Sequence, residues 1–114
     1  FTASIDAYNG AGTRVSYAMS KAAELALMRH IARKYGPKGI RANAIAPGLI
    51  WHYKFDDQWM PDGIVEQTRA RQMIKSRFGN PDDVAALGAL LLSDDGSFIT
   101  AQTISVDGGV TFRP

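Results

Sequence analysis

Blocks of apolar residues separated by polar, Gly- or Pro-containing stretches predict strands alternating with helices along this chain. Residues 1–5 are predicted to be the end of a strand, and the Gly-, Ala- and Asn-rich residues 6–13 are predicted to be a loop. Val15–Tyr35 contains neither Gly nor Pro, and its apolar side chains favour one broad helical face. The pattern therefore predicts a strand, a loop and a long helix in the first third of the chain.

The boundaries of this long helix carry their own signals. Ser16 is a candidate N-cap, because its hydroxyl can accept a hydrogen bond from a free N–H of the first turn. Gly36 and Pro37 are predicted to end the helix, with Gly36 in the left-handed C-cap conformation. Residues 40–46 are short and largely apolar, as in a buried parallel strand, and Pro47 breaks this strand.

The second half of the chain predicts two further helices and a strand. Residues 49–63 have no clean period and are interpreted as a loop with a short helical start, and residues 64–75 are predicted to be a helix. Asn80 followed by a proline and two acids is typical of a helix start, and residues 84–92 are apolar nearly all round, which predicts a buried helix. Thr103–Val106 is predicted to be a strand. The order β-α-β-α-α-β indicates an α/β fold with a parallel sheet.

Composition restricts the class of protein without changing this picture. The chain has 114 residues, of which 46% are hydrophobic and 21% charged, which is ordinary for a globular protein and argues against disorder. This length allows one domain or a piece of one. Residue 1 is Phe rather than Met, so we expect either that an upstream segment was removed or that the chain is a fragment.

Charge and cysteine content exclude several functions. The formal net charge of +2 provides no basic stripe, so nucleic-acid binding has little support. The absence of Cys excludes disulfides, thiol catalysis and Cys-ligated metal sites, and His30 and His52 alone do not make a metal site, so we expect no metal. No targeting signal is visible, and no apolar run approaches the ~20 residues needed to cross a bilayer. We therefore expect a cytoplasmic protein that does not enter a membrane.

Tyr17 and Lys21 carry candidate chemistry, because residues four apart on a helix lie on one face. A phenol has a reference pKa of about 10, and a nearby ammonium favours its phenolate form. Such a pair can serve as a general acid–base unit. Ser4 is expected at a strand terminus facing the start of this helix, where α/β folds gather ligands. Taken alone, a Tyr-Lys pair at this spacing also occurs by chance on solvated helix faces.

Four sequence blocks together are more specific, and their order and spacing resemble the short-chain dehydrogenase/reductase family. These blocks are Ser4, Tyr17-Ala-Met-Ser20-Lys21, Ile40-Arg-Ala-Asn43-Ala-Ile-Ala-Pro47-Gly48 and Ile104-Ser-Val-Asp107-Gly-Gly109. The resemblance implies an α/β fold: the C-terminal half of a Rossmann-type doubly wound parallel sheet. Residues 1–114 would be the C-terminal catalytic half of a single NAD(P)-binding Rossmann-like domain, an incomplete domain whose N-terminal half is absent.

The resemblance also implies roles for individual residues. Tyr17 would exchange a proton with the carbinol or carbonyl oxygen, and Ser4 would orient and polarise that oxygen. Lys21 would lower the pKa of the tyrosine and bind the nicotinamide ribose. The implied cofactor-binding residues are Tyr17, Lys21, Pro47, Gly48 and Ile50. His52 stands where the family often has a cofactor-contacting Thr, so that contact is a departure from the pattern.

The implied function is that of an NAD(P)-dependent oxidoreductase, a short-chain dehydrogenase/reductase that interconverts an alcohol and a ketone by hydride transfer. The cofactor would be NAD or NADP, the substrate a small-molecule alcohol or ketone, and the assembly a homo-tetramer or homo-dimer. Because the phosphate-binding turn of the family is not in this chain, we expect the fragment alone to be inactive. The alternative is a truncated, non-catalytic binding or assembly fragment of such an enzyme.

An aromatic cluster follows the Pro-Gly turn and has two interpretations. Its members are Trp51, Tyr53, Phe55 and Trp59. The cluster is either a lid that lines an apolar substrate pocket, or else a subunit contact or local core. The resemblance favours the lid, because this region covers the substrate in the family.

Overall fold

The computed structural model of the chain describes residues 1–10, 14–52 and 63–112. Two strands, β1 (Ala44–Pro47) and β2 (Thr103–Val106), pair in parallel with Ala44 opposite Thr103. On the other edge of β1, Thr2 forms a parallel bridge with Ile45, and the N–H of Ala3 donates to the carbonyl of Ile45 at 2.8 Å. The α/β class with a parallel sheet is therefore confirmed, with β1 between the first segment of the chain and β2.

Four helices accompany the strands in the described residues. They are α1 (Asp6–Asn9), α2 (Val15–Tyr35), α3 (Ile64–Arg71) and α4 (Pro81–Leu92). Two 3-10 turns, Gly36–Lys38 and Asp94–Gly96, follow α2 and α4. The predicted bounds of α2 and β2 are confirmed.

The core lies between α2 on one side and the first segment of the chain and β1 on the other. Leu25, Met28 and Ala32 form the buried face of α2, and Met28 is fully buried. They pack against Ala3, Ala42 and Ala44. These three small side chains let the helix approach the sheet closely, so α2 holds its first turns beside the carboxyl ends of the strands.

The structure corrects the predicted ends of this region. Asp6–Asn9 is a short helix rather than part of a loop, and it ends at Gly10 with φ +65°. Arg14, not Ser16, occupies the N-cap position of α2, and no side chain caps this end. Gly36 is right-handed, because the chain continues into a 3-10 turn, and the left-handed residue is Gly39 with φ +81°.

The strand predicted at residues 40–46 is shorter and lies later, at Ala44–Pro47. The residues before Ala44 are not part of the strand, and two of their polar side chains bind the residues that precede β2. The guanidinium of Arg41 donates to the carbonyls of Leu91, Ile99 and Ser93 at 2.8, 3.2 and 3.3 Å. The amide of Asn43 donates to the carbonyl of Ile99 at 2.8 Å and accepts from the N–H of Gln102 at 3.0 Å. These contacts bring the residues before β2 alongside β1.

Helices α3 and α4 also differ from their predictions. The helix predicted at residues 64–75 ends at Arg71, since Gln72 is extended and its side chain is buried. Asn80 caps α4 as predicted, in a reciprocal capping box with Asp83. The prediction that residues 84–92 form a buried helix is wrong: Leu91 is buried, but Leu92 is 88% exposed. Only one face of α4 packs against β1, so its remaining apolar side chains face solvent.

Candidate active site

A cleft of about 310 Å³ lies where the first segment, β1 and α3 meet. Five segments of the chain contribute to it: the end of the first segment with α1, the start of α2, the end of β1, α3, and the turn after β2. Its described lining includes Ser4, Asp6, Asn9, Tyr17, Pro47, Gly48, Leu49, Gln67, Arg71 and Val110. The predicted site residues Ser4, Tyr17, Pro47 and Gly48 thus lie together, although they are far apart in sequence.

Ser4 is held firmly at this cleft. Ser4 is 8% exposed, and its Oγ accepts a hydrogen bond of 3.2 Å from the backbone N–H of Asp6. Its carbonyl accepts from the N–H of Ala7 at 3.1 Å, as α1 begins. The backbone turns into α1 directly after Ser4 and leaves the sheet there. Ser4 therefore lines the cleft at the end of this segment.

Tyr17 lies in the first turn of α2 and is 43% exposed at the cleft. Among the residues that the structure describes, no hydrogen-bond partner engages its phenol oxygen. The Nζ of Lys21 lies 5.9 Å from the Tyr17 ring centroid, as the four-residue spacing predicts. A half-exposed phenol beside an ammonium can bind and protonate a ligand oxygen.

Lys21 does not line the cleft itself; it lies behind Tyr17. Its Nζ donates to the carbonyl of Thr2 and to the carboxylate of Glu24, both at 2.9 Å. The Lys21 side chain is about one-fifth exposed. This ammonium therefore connects α2 to the segment that carries Ser4.

The end of β1 forms the wall between two clefts. Pro47, Gly48 and Leu49 line the cleft with Ser4 and Tyr17, and they also line a second cleft of about 540 Å³ with Ile50 and His52. The second cleft also includes Pro81, Val84 and Ala85 from α4. This second cleft is largely apolar and adjoins the polar cleft of Ser4 and Tyr17. An apolar wall of this kind can bind a flat, partly apolar ring.

Gly48 is required at this wall by close packing. A Cβ at position 48 would lie 2.6 Å from the Cβ of Asp107 and 2.9 Å from its Cα. The N–H of Gly48 also donates to the carbonyl of Val106 at 3.0 Å. The end of β1 and the turn after β2 are therefore in direct contact, and no larger residue fits between them.

The turn after β2 positions another part of the cleft. The carboxylate of Asp107 accepts from the N–H groups of Gly109 and Thr111, both at 2.9 Å, and from the Thr111 hydroxyl at 2.5 Å. These bonds fix the backbone that presents Val110 to the cleft. The hydroxyls of Tyr8 and Ser105 form a hydrogen bond that joins α1 to β2.

Sequence reasoning missed several residues that line the cleft, among them Asn9 and Arg71. The guanidinium of Arg71, at the end of α3, donates to the Oδ1 of Asn9 in α1 at 3.3 Å. The helix α1 that carries Asn9 had a local signal, because the hydroxyl of Ser4 can accept a hydrogen bond from the backbone N–H two residues later and so start a short helical turn. Arg71 had none, because its position depends on how α3 packs.

Part of the aromatic cluster lies outside the described residues, namely Tyr53, Phe55 and Trp59. The ring of Trp51 stacks on Phe78 with the ring centroids 5.7 Å apart, and the backbone N–H of Trp51 donates to the carbonyl of Gly79 at 2.7 Å. Trp51 therefore packs against the segment before α4. The choice between a lid and a contact surface remains a prediction.

An ion pair anchors this segment before α4. The guanidinium of Arg77 donates to both carboxylate oxygens of Asp83, at 2.6 and 2.7 Å. This hydrogen bonding, together with a bond from the N–H of Asn80, lowers the pKa of Asp83 from 3.8 to about 2. The same pair raises the pKa of Arg77.

Neither a metal centre nor a membrane span is present in the described part of the chain. Residues 1–10, 14–52 and 63–112 contain no group of three or more His, Cys, Asp or Glu side chains arranged to hold a metal. None of the helices found there is long and apolar enough to span a bilayer.

Known proteins resemble this chain in sequence over most of its length. Residues 1–111 match a family model described as enoyl-(acyl carrier protein) reductase. The chain is 45% identical over 95 residues to a probable short-chain type dehydrogenase/reductase of Bradyrhizobium diazoefficiens, covering 83% of this chain and 33% of that protein.

Solved structures are similar over nearly the whole chain. A 4-hydroxyisoleucine dehydrogenase complexed with NADH has a TM-score of 0.85 and 28% identity, covering 96% of this chain and 45% of its own. A blue fluorescent protein from a metagenomic library, in complex with NADPH, has a TM-score of 0.83 and 30% identity, covering 97% of this chain and 44% of its own. The chain thus spans a third to a half of the length of these proteins.

Proposed function

This chain belongs to the short-chain dehydrogenase/reductase family, and we propose that it supplies the catalytic half of an NAD(P)-dependent oxidoreductase that interconverts an alcohol and a ketone. The observation that carries the proposal is the single cleft shared by Ser4, Tyr17 and Pro47–Gly48. These residues come from three separate segments, and each has the type that the family pattern requires.

The cofactor of the proposed enzyme is NAD or NADP. The two similar structures contain NADH or NADPH, and the apolar second cleft of this chain shares Pro47, Gly48 and Leu49 with the cleft that contains Tyr17. Pro47, Gly48 and Ile50 would contact the nicotinamide end, and Lys21 would bind its ribose. When bound, the nicotinamide ring supplies or accepts the hydride.

Tyr17 has the central role among the residues of the chain itself. Its phenol would donate a proton to the carbonyl oxygen during reduction and accept one from the carbinol during oxidation. Its exposure at the cleft leaves the hydroxyl accessible to a substrate oxygen. The ammonium of Lys21, 5.9 Å from the ring centroid, would stabilise the phenolate that forms.

Ser4 would bind the same substrate oxygen from the strand side. A buried hydroxyl fixed by the N–H of Asp6 keeps one orientation, so it can donate to the substrate oxygen without first losing much conformational freedom. Together, Ser4 and Tyr17 would hold the oxygen while the neighbouring carbon exchanges hydride.

The proposal extends to the whole protein. We propose a homo-tetramer or homo-dimer, a small-molecule alcohol or ketone as the substrate, and a cytoplasmic location. We also propose that residues 1–114 form the C-terminal half of one Rossmann-like domain, and that this half alone is inactive. The family resemblance supports the assembly, the substrate class and the half-domain, and the absence of a targeting signal and of Cys in the sequence supports the location.

A screen of the full-length protein tests the proposal. NADH and NADPH are titrated while nicotinamide fluorescence is followed, and cofactor absorbance is then monitored with a panel of alcohols and ketones. We expect saturable binding of at least one cofactor and substrate-dependent turnover. Cofactor binding without turnover on any member of the panel would favour the alternative, a non-catalytic binding or assembly role.

A further inference from the structure

We propose that Arg71 determines specificity by binding a carboxylate of the substrate, so that the substrate is an alcohol or ketone that also carries an acid group. This inference rests on the proposed oxidoreductase function. Arg71 lines the same cleft as Ser4 and Tyr17 and is the one cationic side chain among the described lining residues. A guanidinium is planar and presents N–H donors in the geometry that a carboxylate accepts in a bidentate manner.

The hydrogen bonding of Arg71 leaves most of its capacity unused. Its described partner is the neutral amide oxygen of Asn9, at 3.3 Å. The ion pairs of the described residues, Lys21–Glu24 and Arg77–Asp83, do not involve it. A guanidinium has five N–H donors, so an incoming anion can bind without displacing a carboxylate of the protein.

Other arginines of the chain show what a structural role looks like. Arg41 donates to three backbone carbonyls, and Arg77 makes a two-bond contact with Asp83. Arg69, two residues before Arg71, places its guanidinium 4.7 Å from the ring centroid of Phe78. Arg71 makes no comparable contact in the described residues, although it sits at the cleft.

Capping of α3 does not explain Arg71 either. A basic residue in the last helical turn often satisfies the terminal carbonyls. Here the Nζ of Lys75 donates to the carbonyls of Arg69 and Ala70, both at 2.9 Å, and the N–H of Gln72 donates to the carbonyl of Thr68 at 2.9 Å. Since this end of the helix is already capped, the charge of Arg71 is available to the cleft.

Asp6 is the one acidic residue in the described lining of this cleft. The negative charge of Asp6 opposes an anionic ligand. The affinity for a carboxylate therefore depends on its direct contact with Arg71 and not on the net charge of the cleft. Removing the acid with Asp6→Asn should therefore strengthen binding of a carboxylate by roughly twofold to fivefold. Removing the base should weaken it more, because a direct charge-assisted hydrogen bond is lost.

The experiment compares two probes of the same size that differ in charge, 4-oxopentanoate and 4-oxopentanamide. Each is titrated calorimetrically into the full-length protein saturated with NAD⁺ or NADP⁺, whichever it binds, so that no turnover occurs. We expect the acid to bind at least about tenfold more tightly than the amide, as for a charge-assisted hydrogen bond. Arg71→Met should remove this preference, and Arg71→Lys should retain part of it.

Arg69→Met is the matched control, because it removes the same charge from the same helix outside the cleft. It should keep the preference for the acid. Equal affinity of the wild type for both probes, binding of neither, or a preference that survives in a folded Arg71→Met protein would overturn the inference. The proposed function fails separately, through absence of cofactor binding or of turnover in the substrate panel.

Discussion

The ammonium of Lys21 donates a hydrogen bond of 2.9 Å to the backbone carbonyl of Thr2, which ties helix α2 to the segment that carries Ser4. The same ammonium contacts Glu24 at 2.9 Å and lies 5.9 Å from the Tyr17 ring centroid. One side chain thus connects the two segments whose hydroxyl groups meet at the cleft. Lys21 is therefore expected to act both through its charge and through the relative position of these segments.

Replacing Lys21 tests this double role. In the full-length protein, Lys21→Met should lower kcat by at least about a hundredfold, because the proposed phenolate loses its neighbouring cation. It should also raise the Kd for the cofactor. Lys21→Arg keeps a cation and N–H donors, so it should retain more of both properties. Wild-type kcat and cofactor affinity in Lys21→Met would contradict the assigned role.

Ser4→Ala separates substrate orientation from cofactor binding. The variant should lower turnover while leaving the cofactor Kd within about twofold, since Ser4 contacts the substrate oxygen in the proposed mechanism. It should also lower the free energy of unfolding by about 1 kcal/mol, because the N–H of Asp6 loses its acceptor. Denaturant unfolding and steady-state kinetics measure the two effects.

Ser20→Ala is the control for this substitution. The Ser20 hydroxyl donates to the carbonyl of Tyr17 at 2.7 Å, on an exposed part of α2. Its removal should leave turnover nearly unchanged. Equal losses of turnover in Ser4→Ala and Ser20→Ala would mean that the effect of Ser4 is not specific to the cleft.

Gly48→Ala tests the wall between the two clefts. The added methyl group would lie 2.6 Å from the Cβ of Asp107, so the end of β1 and the turn after β2 must move apart. We expect a loss of roughly 1–3 kcal/mol in the free energy of unfolding and weaker cofactor binding. Gly36→Ala is the matched control, because a Cβ at position 36 would meet no atom within 4 Å and the φ of −53° there suits alanine.

Sequence patterns predict those elements whose signals are local. Val15–Tyr35 lacks helix breakers, and Asn80 followed by Pro81 caps its helix through Asp83, so both helices follow from a few neighbouring residues. The strand at Thr103–Val106 also has its predicted bounds. The cleft residues Ser4 and Tyr17 can be recognised because the family pattern specifies their spacing.

Other features depend on contacts between distant parts of the chain. The strand start at Ala44 follows from the use of Arg41 and Asn43 to hold the residues before β2, which no local pattern reveals. The apolar composition of residues 84–92 predicts burial, but burial requires a partner on each face. The packing of α3 likewise decides that Arg71 lines the cleft while Arg69 stacks on Phe78.

The Arg77–Asp83 pair predicts a specific pH dependence. Asp83 has its pKa lowered to about 2 from 3.8, so the stability it contributes is present above the unfolded-state value and is lost as the pH falls towards 2. The Tm difference between the wild type and Asp83→Asn should therefore be constant near neutrality and shrink between pH 3.8 and 2. Arg77 is exposed and Asp83 is partly exposed, so salt should reduce the difference.

Asp82→Asn provides the comparison for this measurement, since Asp82 lies in the same first turn of α4 and forms no ion pair in the described structure. Its Tm difference should show no such narrowing in this pH range. A constant difference for Asp83→Asn down to pH 2 would show that the ion pair does not contribute to folding.

Turnover by Tyr17→Phe in the full-length protein tests the central claim most directly, with Tyr35→Phe as the same substitution at the far end of the same helix. Tyr35 lies near Lys34 and Lys38 and does not line the cleft. We predict that Tyr17→Phe still binds the cofactor but loses at least about a hundredfold in kcat, whereas Tyr35→Phe stays within about threefold of the wild type. Turnover by Tyr17→Phe equal to that of Tyr35→Phe would contradict the account.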